Sequence, residues 1–140
     1  MRTLTDHKVN GLNDAISITV LDEPGAGGAC HKYELDLVGG APESGGQKLL
    51  IQFQDGPISD EKDFNGFTNE ALIAVVIDRM RGFQGMAPVH NPPNSGPGTP
   101  APFAGRDNAI ALTHLEDALM RLQKRTRDRM ARGVEGTHTP

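Results

Sequence analysis

The sequence predicts an α+β fold, in which a small antiparallel sheet is followed by a two-helix antiparallel hairpin. Three observations predict it. Apolar and polar residues alternate through the first half, helical spacing replaces this alternation after Gly66, and a proline- and glycine-rich stretch separates two helical segments. The chain has 140 residues, the length of one domain. We therefore expect a single domain over residues 1–140.

The β-rich part, residues 1–66, is expected to hold three strands. Residues 14–21 are rich in β-branched side chains and alternate, which places Ile16, Ile18 and Val20 on one face. A glycine-rich link leads to a second alternating run at residues 30–38, and residues 48–54 form the third strand. The first two runs therefore form an antiparallel hairpin.

Two helices follow. Thr68 can cap the first helix, in residues 67–84, where apolar residues recur at three- and four-residue spacing: Leu72, Val75, Val76, Met80 and Phe83, with Arg79 on the same stripe. Residues 85–102 form a Pro/Gly-rich loop. Residues 103–140 contain a long helix, from about 106 to 132, and a tail. This helix has a leucine stripe (Leu112, Leu115, Leu119 and Leu122), ends at Gly133, and would be about 40 Å long.

Composition limits the class of protein. Apolar residues make up 36% of the chain and aromatic residues 4%, so one protomer has a thin core and self-association is expected. A net charge of -4 argues against general binding of nucleic acid. A single cysteine, Cys30, excludes an intrachain disulfide and a cysteine zinc cage. The polar amino end and the short aliphatic run at 71–77 predict a cytoplasmic protein without a membrane span.

The strongest functional signal is a basic stretch near the end of the long helix. Six basic residues oppose Asp128 alone between positions 121 and 132, a local charge of about +5. Four of these share one helical face, at a spacing suited to phosphate oxygens: Arg121, Arg125, Arg129 and Arg132. A solvated face that suits the helix dipole is the alternative interpretation.

Other candidate residues lie at the loop end of the hairpin. Phe83 and Phe103 flank the loop, so either ring could stack on a base or anchor the loop. The Asn108 side chain could form hydrogen bonds with an adenine edge or with the backbone at the start of the helix. The glycine-rich link at 25–28 fits a hairpin turn better than a phosphate cradle. The five histidines lack metal-binding spacing, and no catalytic set is evident, so we expect no metal, no cofactor and no catalysis.

Several separated motifs, in order, resemble one family. They are Asn13-Asp14-Ala15-Ile16, residues 21–28, Gly66-Phe67-Thr68-Asn69-Glu70-Ala71-Leu72, Gly82-Phe83-Gln84, Pro102-Phe103-Ala104, residues 123–129, and Gly133-Val134-Glu135-Gly136-Thr137-His138. The chain resembles the first type of Thoeris anti-defence sponges, whose helical hairpin is similar to that of a phage anti-CBASS sponge. Three departures are the long loop at 85–101, Arg121 at an often aromatic position, and Gly105 at a cysteine position.

The resemblance implies a phage counter-defence protein in the cytoplasm of the infected bacterium. Such a protein sequesters glycocyclic ADP-ribose without cleaving it, and members also bind cyclic trinucleotides at separate sites. The implied pocket lies between protomers of a homodimer, with a hexamer of three dimers as a further assembly. Its ligand-binding residues would be Phe83, Asn108, Arg125 and Arg129. The alternatives are a cyclic-nucleotide hydrolase and a nucleic-acid or virion assembly protein.

Overall fold

A computed structural model describes residues 1–39, 46–85, 103–135 and 137–140. The chain divides into two compact units, Met1–Phe67 with the last residues of the chain, and Thr68–Glu135. The first unit holds an antiparallel sheet and the second holds two long helices, so the expected α+β class is confirmed. The single domain over 1–140 stays a prediction, and residues 86–102 of the expected loop lie outside the described residues.

The sheet has four strands in the order β1-β2-β3-β4, and every neighbouring pair is antiparallel. Its strands are β1 (Arg2–Leu4), β2 (Ile16–Val20), β3 (Lys32–Leu37) and β4 (Gln47–Gln52), and a short helix α1 (Gly11–Asp14) precedes β2. The three expected strands are therefore present. Strand β1 is an addition, because three residues are too few to show an alternating pattern.

The register of β2 against β3 confirms the expected apolar face. Ile16 pairs with Leu37, Ile18 with Leu35 and Val20 with Tyr33, so residues of one parity share a face of the hairpin. Val20 is fully buried. The Tyr33 ring meets the Phe53 ring edge to face at 5.6 Å, and its hydroxyl donates to the Cys30 carbonyl oxygen at 3.3 Å. The core of this unit therefore lies around the middle strands.

The chain after β4 folds back on the sheet at Gly66. Phe53 and Phe67 form a parallel bridge, in which the Phe67 amide donates to Gln52 O at 2.8 Å. A Cβ atom at Gly66 would lie 2.3 Å from the Phe53 carbonyl carbon, far inside van der Waals contact. Glycine is therefore required at position 66 for this close approach of two backbones.

The second unit contains α2 (Asn69–Phe83) and α3 (Arg106–Ala131). Thr68 caps α2 as expected, since its hydroxyl accepts from the Ala71 amide at 3.1 Å. At the carboxyl end of α3, Gly133 has a φ of +68°. Its amide donates to Met130 O, and the Val134 amide donates to Arg129 O, each at 3.0 Å. These two bonds are those of a Schellman motif, which ends α3 and turns the chain back along it.

The two helices pack through Ile77 and Leu112, which are the buried apolar residues of this unit within the described part of the chain. Leu115, Leu119 and Leu122 are half-buried, in line with the expected leucine stripe. The expected stripe on α2 is partly wrong, because Val75, Val76 and Arg79 are exposed. Helix α2 is apolar on more than one face, so spacing alone does not decide which face is buried.

Candidate functional site

The four predicted ligand-binding residues all lie in the helical unit, but at two separate places. Phe83 is the last residue of α2, and Asn108 lies in the first turn of α3. Arg125 and Arg129 lie in the last two turns of α3. Since a helix rises 1.5 Å per residue, the backbones of Asn108 and Arg125 are about 25 Å apart along one helix. One chain therefore does not bring the aromatic and basic residues together.

The first place is an aromatic cluster, made of Arg79, Phe83, Phe103 and Asn108. The Phe83 and Phe103 rings meet edge to face with their centroids 5.8 Å apart, as their positions at either end of the predicted loop favour. The Arg79 guanidinium lies 4.8 Å from the centroid of the Phe83 ring, within the range of a cation–π interaction. The cluster therefore combines a flat apolar surface with one exposed positive charge.

Asn108 is held within this cluster by the backbone. Its side-chain Nδ2 donates to the Phe103 carbonyl oxygen at 2.8 Å. A hydrogen bond with the backbone at the start of the helix is the alternative role that the sequence left open for Asn108. This bond fixes the rotamer of the Asn108 side-chain amide. The role of Asn108 in binding a ligand stays a prediction.

The second place is the basic end of α3, where much of the predicted positive charge is already paired. Lys124 Nζ contacts Asp128 Oδ2 at 2.6 Å, and this hydrogen bond lowers the pKa of the Asp128 carboxyl. Arg121 lies 3.9 Å from Asp117, which precedes the stretch counted in the sequence. The net charge of +5 therefore overstates the charge that is free to attract an anion.

Arg129 and Arg125 differ sharply in their surroundings. Arg129 is only 7% exposed, and its Nε donates to Glu135 Oε2 at 2.8 Å while one terminal nitrogen donates to Val134 O at 2.9 Å. Arg125 is exposed, and no acidic side chain of the described residues lies within ion-pair distance of it. Arg125 therefore presents an unneutralised guanidinium, whereas the Arg129 guanidinium is paired within the chain.

Two contacts at these places escaped the sequence analysis. Arg79 precedes Phe83 by four residues, a helical spacing that brings two side chains together, so the signal was present. Glu135 lies two residues beyond Gly133. A Schellman turn at Gly133 directs the residues after it back toward the helix, so this glycine was the sequence signal for the Glu135 contact. Both residues contact a predicted ligand-binding side chain.

Other kinds of site find little support within residues 1–39, 46–85, 103–135 and 137–140. No cluster of three or more His, Cys, Asp or Glu side chains is arranged to hold a metal ion in those ranges. No helix there combines the length and apolar character needed to cross a membrane. A cleft of about 460 Å³ lies in the sheet unit beside Arg2, Asp22 and Cys30, and contains none of the four predicted residues.

Comparison with known proteins gives independent evidence about the family of this chain. The family described as "Acb2/Tad1, hairpin domain" matches residues 46–127, more than half of the chain. A protein of Bacillus phage SBSphiJ7, named "Thoeris anti-defense 1", is 44% identical over 93 residues, which cover 66% of this chain and 54% of that protein. The chain thus aligns with about half the length of this curated relative.

Proposed function

This chain belongs to the Acb2/Tad1 hairpin-domain family, and on that premise we propose that it is a phage counter-defence protein that captures cyclic nucleotide immune signals. Its principal ligand would be glycocyclic ADP-ribose, held without cleavage, and cyclic trinucleotides would bind at separate sites. The observation that carries the proposal is the exposed Arg125 guanidinium, which has no acidic partner among the described residues, in the same helical unit as the aromatic cluster. A diphosphate attached to a purine requires these two kinds of contact.

The basic end of α3 would bind the diphosphate. A guanidinium presents N–H donors in a planar fork that matches two phosphate oxygens. Arg125 and Arg129 are four residues apart, so their side chains project from neighbouring turns of one face. Two adjacent forks suit two linked phosphates, and this match favours a diphosphate over a single phosphate group.

The aromatic cluster would bind the base. An adenine stacked on an aromatic ring gains about 1–3 kcal/mol. The Phe83 ring packs edge to face with the Phe103 ring and has the Arg79 guanidinium near one face, so these contacts restrict its motion. Asn108 lies beside it and would bond a polar edge of the ligand. A ring whose motion is already restricted loses less entropy on binding.

The distance between these two places supports a pocket formed between protomers. About 25 Å of helix separates Asn108 from Arg125, more than one molecule of glycocyclic ADP-ribose spans. Two α3 helices running antiparallel in a homodimer would place the aromatic cluster of one copy beside the basic end of the other. Exposed apolar residues, including Val75 (68% exposed) and Leu50 (61% exposed), agree with a chain that associates with itself. Three such dimers would make the hexamer.

Binding in this proposal replaces turnover. The four residues offer hydrogen-bond donors and a ring, but no side chain that acts as a nucleophile or general base at neutral pH. A sponge of this kind works in stoichiometric amounts in the cytoplasm of the infected bacterium, without a cofactor, nucleic acid or membrane. It must hold the signal below the concentration at which the receptor responds.

Mass spectrometry of released ligand tests capture against hydrolysis. The purified protein is incubated with glycocyclic ADP-ribose and a panel of cyclic trinucleotides, washed and heat-denatured. Capture predicts that the ligand returns with its original mass. Recovery of a linear product would favour the hydrolase, and retention of no messenger would reject the proposal.

Calorimetry with matched variants tests the residues. Arg125→Ala should weaken glycocyclic ADP-ribose binding at least tenfold, since it removes a charge-assisted fork. Arg127→Ala removes the same charge from another face of α3 and should change affinity by less than about threefold. Displacement of the ligand by short DNA would instead support a nucleic-acid protein, whose affinity falls steeply with salt.

A further inference from the structure

Glu135 forms an ion pair with the Arg129 guanidinium within the chain. The Schellman turn at Gly133 sends the chain back toward α3, and the next residues supply two partners of Arg129, the Val134 carbonyl and the Glu135 carboxylate. The Glu135 carboxylate lies 2.8 Å from Nε, the position that a phosphate oxygen takes in an arginine–phosphate pair. It is therefore an anion held in place by the chain itself.

The two partners of this ion pair differ in burial. The Arg129 side chain is 9% exposed, whereas that of Glu135 is 43% exposed. A buried guanidinium without a counter-charge is costly, so Arg129 needs an anion at all times. A half-exposed carboxylate returns to water easily. The Glu135 carboxylate can therefore leave the ion pair and be replaced by another anion, whereas Arg129 stays in place.

We propose that Glu135 is a resident counter-anion of Arg129, which a phosphate of the ligand displaces on binding. This inference rests on the proposed function and assigns a role to a residue outside the four predicted ones. Because one ion pair replaces another, Arg129 contributes only the difference between its pairing with phosphate and with carboxylate. Glu135 thereby disfavours ligands whose only anion is a carboxylate and selects for a diphosphate.

Three variants test the exchange by calorimetry, with inorganic pyrophosphate and glycocyclic ADP-ribose as probes. Glu135→Gln removes the competing charge, and Glu135→Asp keeps the charge but shortens its reach. Both should bind either probe about three- to tenfold more tightly than the unaltered protein, since a charge-assisted bond no longer competes. Asp128→Asn removes one negative charge on the same helix end and should change affinity by less than about twofold. Thermal melting shows that each variant is folded.

The outcomes separate this inference from the proposed function. Unchanged or weaker binding by both Glu135 variants overturns the exchange, as does an equal gain in Asp128→Asn, which would reflect local charge alone. Pyrophosphate binding that tightens as expected, without retention of glycocyclic ADP-ribose, supports the exchange and rejects the proposed ligand. Failure of pyrophosphate to bind the unaltered protein and both Glu135 variants also overturns the exchange.

Discussion

Gln84 and Gly105 exchange two hydrogen bonds at the loop end of the helical hairpin. Gln84 Nε2 donates to Gly105 O at 3.1 Å, and the Gly105 amide donates to Gln84 Oε1 at 3.0 Å. Gly105 is the N-cap residue of α3 and has no side chain to bond the helix start. The Gln84 amide therefore joins the end of α2 to the start of α3, beside the Phe83 and Phe103 rings.

Replacing Gln84 with Ala should lower the free energy of unfolding by about 1–2 kcal/mol, because two hydrogen bonds that join the end of α2 to the start of α3 are lost together. Urea denaturation followed by far-UV circular dichroism measures this loss. Gln123→Ala, on the exposed surface of α3, is the matched control and should change stability by less than about 0.5 kcal/mol. Equal effects of the two variants would contradict a special role for Gln84.

Two glycines should respond to alanine in opposite directions. Gly66→Ala forces a Cβ atom into the Phe53 backbone, and should destabilise the protein by at least about 1–3 kcal/mol. Gly82→Ala meets no atom within 4 Å and replaces glycine inside a helix, and should stabilise it by about 0.5–1 kcal/mol. Thermal melts of both variants provide the measurement. A Gly66 variant as stable as the original would refute the close backbone approach.

Stability should fall in acid partly through Asp63. Hydrogen bonds from the Ser59 hydroxyl and amide and from the Asp60 amide lower the pKa of the Asp63 carboxyl. A carboxyl whose pKa is lower in the folded state stabilises the fold above its unfolded pKa and loses that contribution as the pH falls below about 4.

Urea midpoints of the original protein and Asp63→Asn, taken from pH 7 to pH 3, measure this contribution. The gap between them should narrow in acid. Glu61→Gln, in the same loop, is the control for the loss of one negative charge. A gap for Asp63→Asn that stays constant would disprove the stabilising role of its carboxylate.

The aromatic cluster should contribute to binding of the ligand's base and not to binding of its phosphates. Phe83→Leu keeps an apolar side chain but removes the stacking face, and should weaken glycocyclic ADP-ribose binding about tenfold. Its affinity for inorganic pyrophosphate should not change, because pyrophosphate has no base. Phe64→Leu, at an exposed position in the sheet unit, is the control and should bind both probes normally. A parallel loss of both affinities in Phe83→Leu would indicate misfolding instead.

Mixing two inactive variants should restore binding if the pocket lies between protomers. Asn108→Ala and Arg125→Ala each damage every pocket of their own homodimers. A mixed dimer carries both changes in one pocket and none in the other, so co-refolded protein should regain up to about one quarter of the high-affinity sites. Calorimetric stoichiometry counts these sites. Refolded mixtures that remain as weak as the separate variants would show that each pocket belongs to one chain.

The sequence predicts those parts of the fold that depend on local pattern. Alternation predicted that Ile16, Ile18 and Val20 share one face of β2, and the cap residues Thr68 and Gly133 lie where their chemistry predicts. Strand β1 was missed, because its structure comes from pairing with β2 and not from its own three residues. The exposed face of α2 was missed because Val75 and Ile77 are equally apolar, and only the packing of α2 against α3, which buries Ile77, distinguishes them.

The sequence pattern predicts the candidate site less completely than it predicts the fold. Helical spacing identified Arg125 and Arg129, but treated them alike, because the Glu135 side chain that pairs with Arg129 lies beyond the helix. The positions of Phe83 and Asn108 at the loop end made them candidates, and the family resemblance then selected them as ligand-binding residues. The length of α3, 26 residues, explains why one chain does not bring these four residues together.

Tyr33 gives the molecule a built-in optical reporter. The chain has one tyrosine and no tryptophan, so ultraviolet fluorescence excited near 275 nm originates from a ring packed on Phe53 in the sheet unit. Circular dichroism at 222 nm is dominated instead by α2 and α3. Coincident melting curves from the two signals would mean that sheet and helices unfold in one cooperative step, and separated curves would divide the 140 residues into two folding units.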